Sequence, residues 1–183
     1  MTARRSGWRT ITGVIALVVL LLCDGQPAWA QGRSTGLPLP RFVSLGADRV
    51  NVRFGPGTQY PVNWVFARKG LPVEITEEFD TWRKVRDYDG DEGWIHASLL
   101  SSRRTIMVTD EPGCVPEPDG TACARDLRRT PSIDSRVVLR AEPGVIGDLS
   151  DCEENWCRVE IEGRRGWLQR SEFWGTRPGE IVR

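Results

Sequence analysis

VNVRFGPGTQYPVNW (50–64), GLPVEI (70–75) and WRKVRDYDGDEGWIHASLL (82–100) decide the fold. A weaker copy follows as LRRTPSIDSRVV (127–138), GVIGDL (144–149) and WCRVEIEGRRGWLQRSEF (156–173). Arg53 matches Arg128 at a separation of 75 residues. Leu71, Ile75, Trp82 and Val85 match Val145, Leu149, Trp156 and Val159 at 74. Gly93 and Trp94 match Gly166 and Trp167 at 73. Near-constant offsets over several segments mean an internal repeat, so the chain reads as two copies of one small domain.

Each copy is written in short strands. Phe42, Val43 and Leu45 open the first copy. Val50 and Val52 alternate with Asn51 and Arg53, the mark of a half-buried strand, until Gly55-Pro56-Gly57 breaks it. Val62, Trp64 and Phe66 share one face; so do Leu71, Val73 and Ile75, with Glu74 and Thr76 opposite. Residues 79–81 turn the chain, Trp82 to Tyr88 form the next strand, and Asp89-Gly90 signals a hairpin. The last strand starts at Trp94, with Trp94 and Trp167 expected in the cores. No amphipathic helix of three turns appears, and evenly spaced strands with turn signals predict an all-β protein of small barrels.

The ends and the joint read differently. Arg4, Arg5 and Arg9 precede an apolar run from Val14 to Leu22, and Ala28-Trp29-Ala30 fits a small-x-small cleavage site. The run is shorter than the roughly 20 residues a membrane span needs, so residues 1–30 read as a signal peptide cut after Ala30. The remaining chain carries four cysteines and no stable membrane anchor, and its place is the periplasm or the exterior, an oxidising compartment. Residues 31–40 read as a flexible leader, 41–102 as domain 1, 103–176 as domain 2 with an inserted loop at 110–124, and 177–183 as a tail. Overall charge is balanced, 25 basic against 25 acidic residues, so no electrostatic argument selects nucleic acid as a partner.

Asn51-Val52-Arg53-x-Gly55-Pro56, Trp82-x-x-Val85, Gly93-Trp94-Ile95 and Leu99-Leu100 together resemble the bacterial SH3-like (SH3b) family. The spacing is also similar to exported tandem SH3-like proteins of Gram-negative bacteria. The second copy departs from the pattern, with Thr130 and Ser132 where the glycines stand. The resemblance implies two tandem SH3-like barrels. It further implies a binding module for cell-wall peptide (peptidoglycan) or an envelope protein, with no cofactor. A purely scaffolding envelope protein is the alternative reading, and a small cell-wall enzyme a weaker one.

Three residues of the first copy are candidates for ligand contact. If Val85 points inward, Trp82 three positions on the other side of the strand period points outward, where an indole can stack on a peptide or sugar. Tyr60 lies in the loop that, by the resemblance, overhangs an SH3 ligand groove; aromatic grooves of that kind take extended peptides. Arg53 could hold a carboxylate bidentately or pair with a nearby acid. Trp64, which shares a face with Val62 and Phe66, belongs to the core instead. Exposure of Trp82 near Tyr60 favours binding, and its burial against the second copy favours scaffolding.

No catalytic set stands out. His96 is the only histidine, and no nucleophile motif accompanies it. Gly55 and Gly57 do not open a helix, so they form no phosphate loop. Cys114 and Cys123, and Cys152 and Cys157, lack the Cys-x-x-Cys spacing of a zinc site and are paired here as disulfides. The second pair carries a difficulty. Leu149 opposite Val159 would set Cys157 across from Asp151, so a Cys152–Cys157 bond requires a bulge.

Overall fold

The computed structural model describes residues 34–110, 114 and 123–183. The predicted signal peptide with its cleavage after Ala30, and most of the inserted loop 110–124, lie outside the described residues. Two seven-stranded antiparallel sheets make up the rest. The first contains β1 (Arg41–Leu45), β2 (Val50–Arg53), β3 (Val62–Phe66), β4 (Pro72–Phe79), β5 (Trp82–Arg86), β6 (Glu92–His96) and β7 (Leu100–Ser101). The second contains β8 (Thr105–Val108), β9 (Arg125–Arg128), β10 (Val137–Ala141), β11 (Ile146–Glu153), β12 (Trp156–Ile161), β13 (Arg164–Gln169) and β14 (Phe173–Trp174). A single 3-10 turn precedes the last strand of each, Ala97–Leu99 and Arg170–Glu172.

Strand order is the same in both: β3-β2-β6-β5-β4-β1-β7 and β10-β9-β13-β12-β11-β8-β14. The repeat in sequence is therefore a repeat in topology. In the first sheet, Leu45, Val50, Val52, Val73, Ile75, Val85 and Ile95 come from five strands yet pack into one cluster. In a flat sheet those five neighbouring strands would spread them over roughly 19 Å, so the sheet coils around its core. The ladder remains open, with β3 and β7 at its ends. Ile106, Val108, Leu127, Val159, Ile161 and Leu168 fill the second core in the same way.

Glycine sets the tightest approach in each sheet. Gly93 faces inward where β6 crosses β2, and a Cβ there would lie 2.3 Å from Val52 Cγ1. At Gly166 a Cβ would lie 2.6 Å from Leu127 Cγ and 2.8 Å from the Arg128 carbonyl oxygen. This explains the repeated Gly-Trp pair and corrects one expectation. Because the glycine points inward, the tryptophan beside it points outward. Trp94 is half-buried on the outer face, and Trp167 is buried there under Arg158, whose guanidinium carbon sits 4.9 Å from the ring centre.

The face of β1 and β4 that alternation turns away from the core is not solvated; the second sheet covers it. Phe42 is 5 % exposed and meets Trp174 edge-on at 4.9 Å. Tyr88 approaches the same indole at 6.1 Å. Thr105 Oγ1 donates to the Gly70 carbonyl at 2.7 Å, and Arg68 Nη1 donates to that of Gly144 at 2.7 Å. Glu74, which the strand period puts opposite the core, is buried between Arg86 and Arg177.

Both chain ends of the described region are packed. Leu39, in the segment read as a flexible leader, joins the first core. Thr35 donates from its backbone N and its hydroxyl to the Glu78 carboxylate at 2.9 and 2.8 Å. Val182, in the predicted tail, joins the second core. Composition marks these segments as loops because their partners are distant in sequence.

Both disulfides are present, Cys114–Cys123 and Cys152–Cys157. The bulge that the second bond requires is there. The register shifts between Leu149 and Asp151, which sets Cys152 directly opposite Cys157.

Candidate functional site

Strand β5 alternates as expected. Val85 is fully buried, Arg83 nearly so, and Trp82, Lys84 and Arg86 lie on the other face. Trp82 therefore points outward and is half-buried. Its cross-strand neighbours are Phe79 on β4 and His96 on β6. Directly opposed residues share a face, so the three rings form a row across the sheet. His96 meets Trp82 edge-on at 5.4 Å, and Phe79 is 60 % exposed. The equivalent row in the second sheet is Glu153, Trp156 and Gln169. Only the central tryptophan is kept there.

A cavity of ≈ 170 Å³ opens beside Trp82, lined also by Asn51, Arg53, Thr58, His96 and Leu99. Asn51 and Arg53 reach it because they occupy the outward face of β2. The ring contact of Trp82 is with His96, within the first sheet, whereas the tryptophan in the ring contact between the sheets is Trp174.

Arg53 has a local task. Its Nη1 donates to the Tyr60 carbonyl at 2.6 Å and the Thr58 carbonyl at 3.3 Å, pinning the loop between β2 and β3. Arg128 donates to the Ser135 carbonyl at 3.0 Å, also seven residues ahead. The repeated arginine is thus a loop staple in both copies, and the acid partner anticipated for it exists only in the second, where Asp126 lies 3.1 Å from Nη2. Tyr60 is 40 % exposed, and its ring lies against Gly55, where a Cβ would be 2.5 Å from Cδ1. That contact explains the glycine after Arg53. The Tyr60 ring is not among the cavity's lining residues; its carbonyl, through Arg53, fixes the loop that forms the rim.

Sequence reasoning found Trp82 and Arg53 here but missed Phe79, His96, Asn51 and Thr58. Asn51 was legible in the period of β2. Phe79 and His96 depend on the register of three strands, which the sequence does not print. Trp64, read as core, packs against the first core cluster.

His96 Nδ1 accepts from the Ser98 backbone N at 3.3 Å and lies 2.7 Å from the Ser98 hydroxyl, so the ring caps the 3-10 turn. The strongest perturbation lies at the far side of β4. Burial opposes ionisation of Glu78, but hydrogen bonds from Arg41 and Thr35 outweigh it and hold its pKa down to about 2. Arg41 sits 2.5 Å away and Arg83 3.3 Å. Among the described residues no group of three or more His, Cys, Asp or Glu could hold a metal ion.

The family model for the bacterial SH3 domain matches residues 46–102 and 125–175. The chain belongs to the bacterial SH3 domain family. Each match covers six of the seven strands of one sheet, leaving out β1 and β8, and the loop held by Arg53 falls inside the first. No curated protein matches the chain. Among solved structures, NlpC2 from Trichomonas vaginalis is similar at 12% identity and TM-score 0.32, over 75% of this chain and 48% of that one. NlpC1 from the same organism has 12% identity and TM-score 0.32, over 80% and 49%. An NlpC/P60 family protein from Bacillus cereus has 13% identity and TM-score 0.31, over 75% and 57%. The chain spans about half the length of the structures it matches. The bacterial SH3 family and the two disulfides fit an extracytoplasmic protein. Among the described residues, no helix is long and apolar enough to cross a membrane.

Proposed function

We propose that this protein is an exported, non-catalytic tandem SH3 module whose first domain recognises cell-wall peptide. The outward row Phe79–Trp82–His96 carries the reading. It places three rings across adjacent strands beside a cavity edged by Asn51, Arg53 and Thr58. Flat aromatic surfaces stack on peptide planes and sugar rings, while the amide and hydroxyl at the rim supply hydrogen bonds. The second domain lacks that row, so the first is the binding domain. Tyr60 flanks the site through its loop, and Arg53 holds that loop in shape.

The signal peptide and cleavage after Ala30 belong to this proposal, and the disulfides support export. Balanced charge argues against nucleic acid as the partner. The scaffolding alternative draws support from the packing of the two domains through Phe42 and Trp174, but that contact does not occupy Trp82. The test is co-sedimentation of the purified protein with peptidoglycan, run beside capture from envelope extract. Saturable binding to peptidoglycan supports the reading. Capture of an envelope protein with no retention on peptidoglycan moves the ligand to the protein class.

A further inference from the structure

The two domains carry different side chains at the same scaffold positions. Lys84 pairs with Trp94 as Arg158 pairs with Trp167, and Arg53 and Arg128 face the same two tryptophans. Equal registers make Phe54, Lys84 and Glu92 equivalent to Arg129, Arg158 and Arg165. In the first domain the charges there balance, since Lys84 Nζ lies 3.0 Å from Glu77 and 2.9 Å from Glu92. In the second domain three arginines stand around one indole. They line, with Gly166 and Trp167, a depression of ≈ 240 Å³ that no carboxylate lines.

Arg129 is exposed and its side chain has no partner among the described residues, while Arg158 and Arg165 hold solvent-exposed ion pairs. Arg158 lies over the Trp167 ring, a contact that engages a face of the guanidinium rather than its N–H groups, of which Nε makes a long ion pair with a neighbouring acid. Its nearest acid, Asp151, is 3.6 Å away. Arg165 pairs with Glu160 at 2.7 Å, but its side chain is 78% exposed, and such pairs open at little cost. A carboxylate presents two coplanar oxygens and one charge, which suits a single arginine. Three guanidinium groups around one ring match the three oxygens and higher charge of a phosphate monoester.

We propose that this face of the second domain, around Trp167, is a binding site for a phosphate group. It is separate from the aromatic row of the first domain and stands whether or not that row binds peptide. The test follows the Trp167 indole N–H by NMR while the purified protein is titrated with inorganic phosphate, and with acetate at matched ionic strength. A parallel arm measures co-sedimentation with phosphatidic acid and phosphatidylcholine vesicles, which separates a lipid headgroup from a soluble phosphate as the source. The variant Arg129→Phe/Arg165→Gln removes two of the charges without setting like charges opposite Glu160, and its fold is checked by thermal unfolding. The expected result is a saturable shift with phosphate that weakens at least about tenfold in the variant and with acetate. The reciprocal Phe54→Arg/Glu92→Arg should create a phosphate response at Trp94. No saturable shift with phosphate and no selective sedimentation with phosphatidic acid would overturn the proposal. So would equal affinity for acetate, or a folded variant that binds phosphate like the wild type.

Discussion

Glu78 shows how one residue ties a distant segment to the fold. Its carboxylate binds Thr35, Arg41 and Arg83, which come from the leader, β1 and β5. The folded-state pKa of about 2 lies below that of the unfolded chain, ordinarily about 4.3. Between those values the unfolded state binds more protons, so stability falls as pH falls through that window and is complete above it. The loss at pH 2 is on the order of 3 kcal/mol for this group. Urea unfolding of wild type and Glu78→Gln at pH 7 and pH 2 measures it. The variant should lose less stability on acidification than the wild type. Gly93 acts by absence. Gly93→Ala forces a methyl against Val52 and should cost about 2 kcal/mol by overpacking. Thermal unfolding reads the loss. The Gly-Trp repeat was legible, but the inward glycine and outward tryptophan were not, because a large aromatic reads as core until its neighbour's direction is known.

At the scale of elements, alternation carried most of the reading. Val50 and Val52, Leu71, Val73 and Ile75, and Val85 all fall where period two puts them. It failed where another element covers the solvent face. Phe42 and Glu74 look like a surplus apolar residue and a solvated acid, yet both are buried by the second domain. The row Phe79–Trp82–His96 was invisible for a related reason, since register between strands arises from the whole sheet. The bulge between Leu149 and Asp151 is an exception, because the cysteines themselves require it. Cys152→Ala/Cys157→Ala removes a short-loop cross-link and should lower the unfolding free energy by about 2 kcal/mol. Thiol titration of the denatured, unreduced exported protein should find no free cysteine, and two free thiols per chain would contradict this pairing.

The whole molecule is a pair of like sheets with unlike outer faces. Their contact is aromatic and hydrogen-bonded, centred on Phe42, Trp174 and Tyr88. Phe42→Ala should therefore cost about 3 kcal/mol, and a calorimetric trace with one transition should separate into two. Persistence of a single transition with unchanged midpoint would mean that the domains are not coupled through this ring. Function, in this account, comes from divergence between the copies. The first keeps an aromatic row, and the second replaces two of its rings with Glu153 and Gln169.

The most direct test is Trp82→Ala, measured twice on the same preparation, by thermal unfolding and by retention on peptidoglycan. An outward side chain leaves no core cavity, so the unfolding midpoint should change little. Removal of an aromatic anchor should cost ~2 kcal/mol of binding, roughly a thirtyfold loss. Unchanged retention with a large fall in stability would contradict the account and make Trp82 a packing residue.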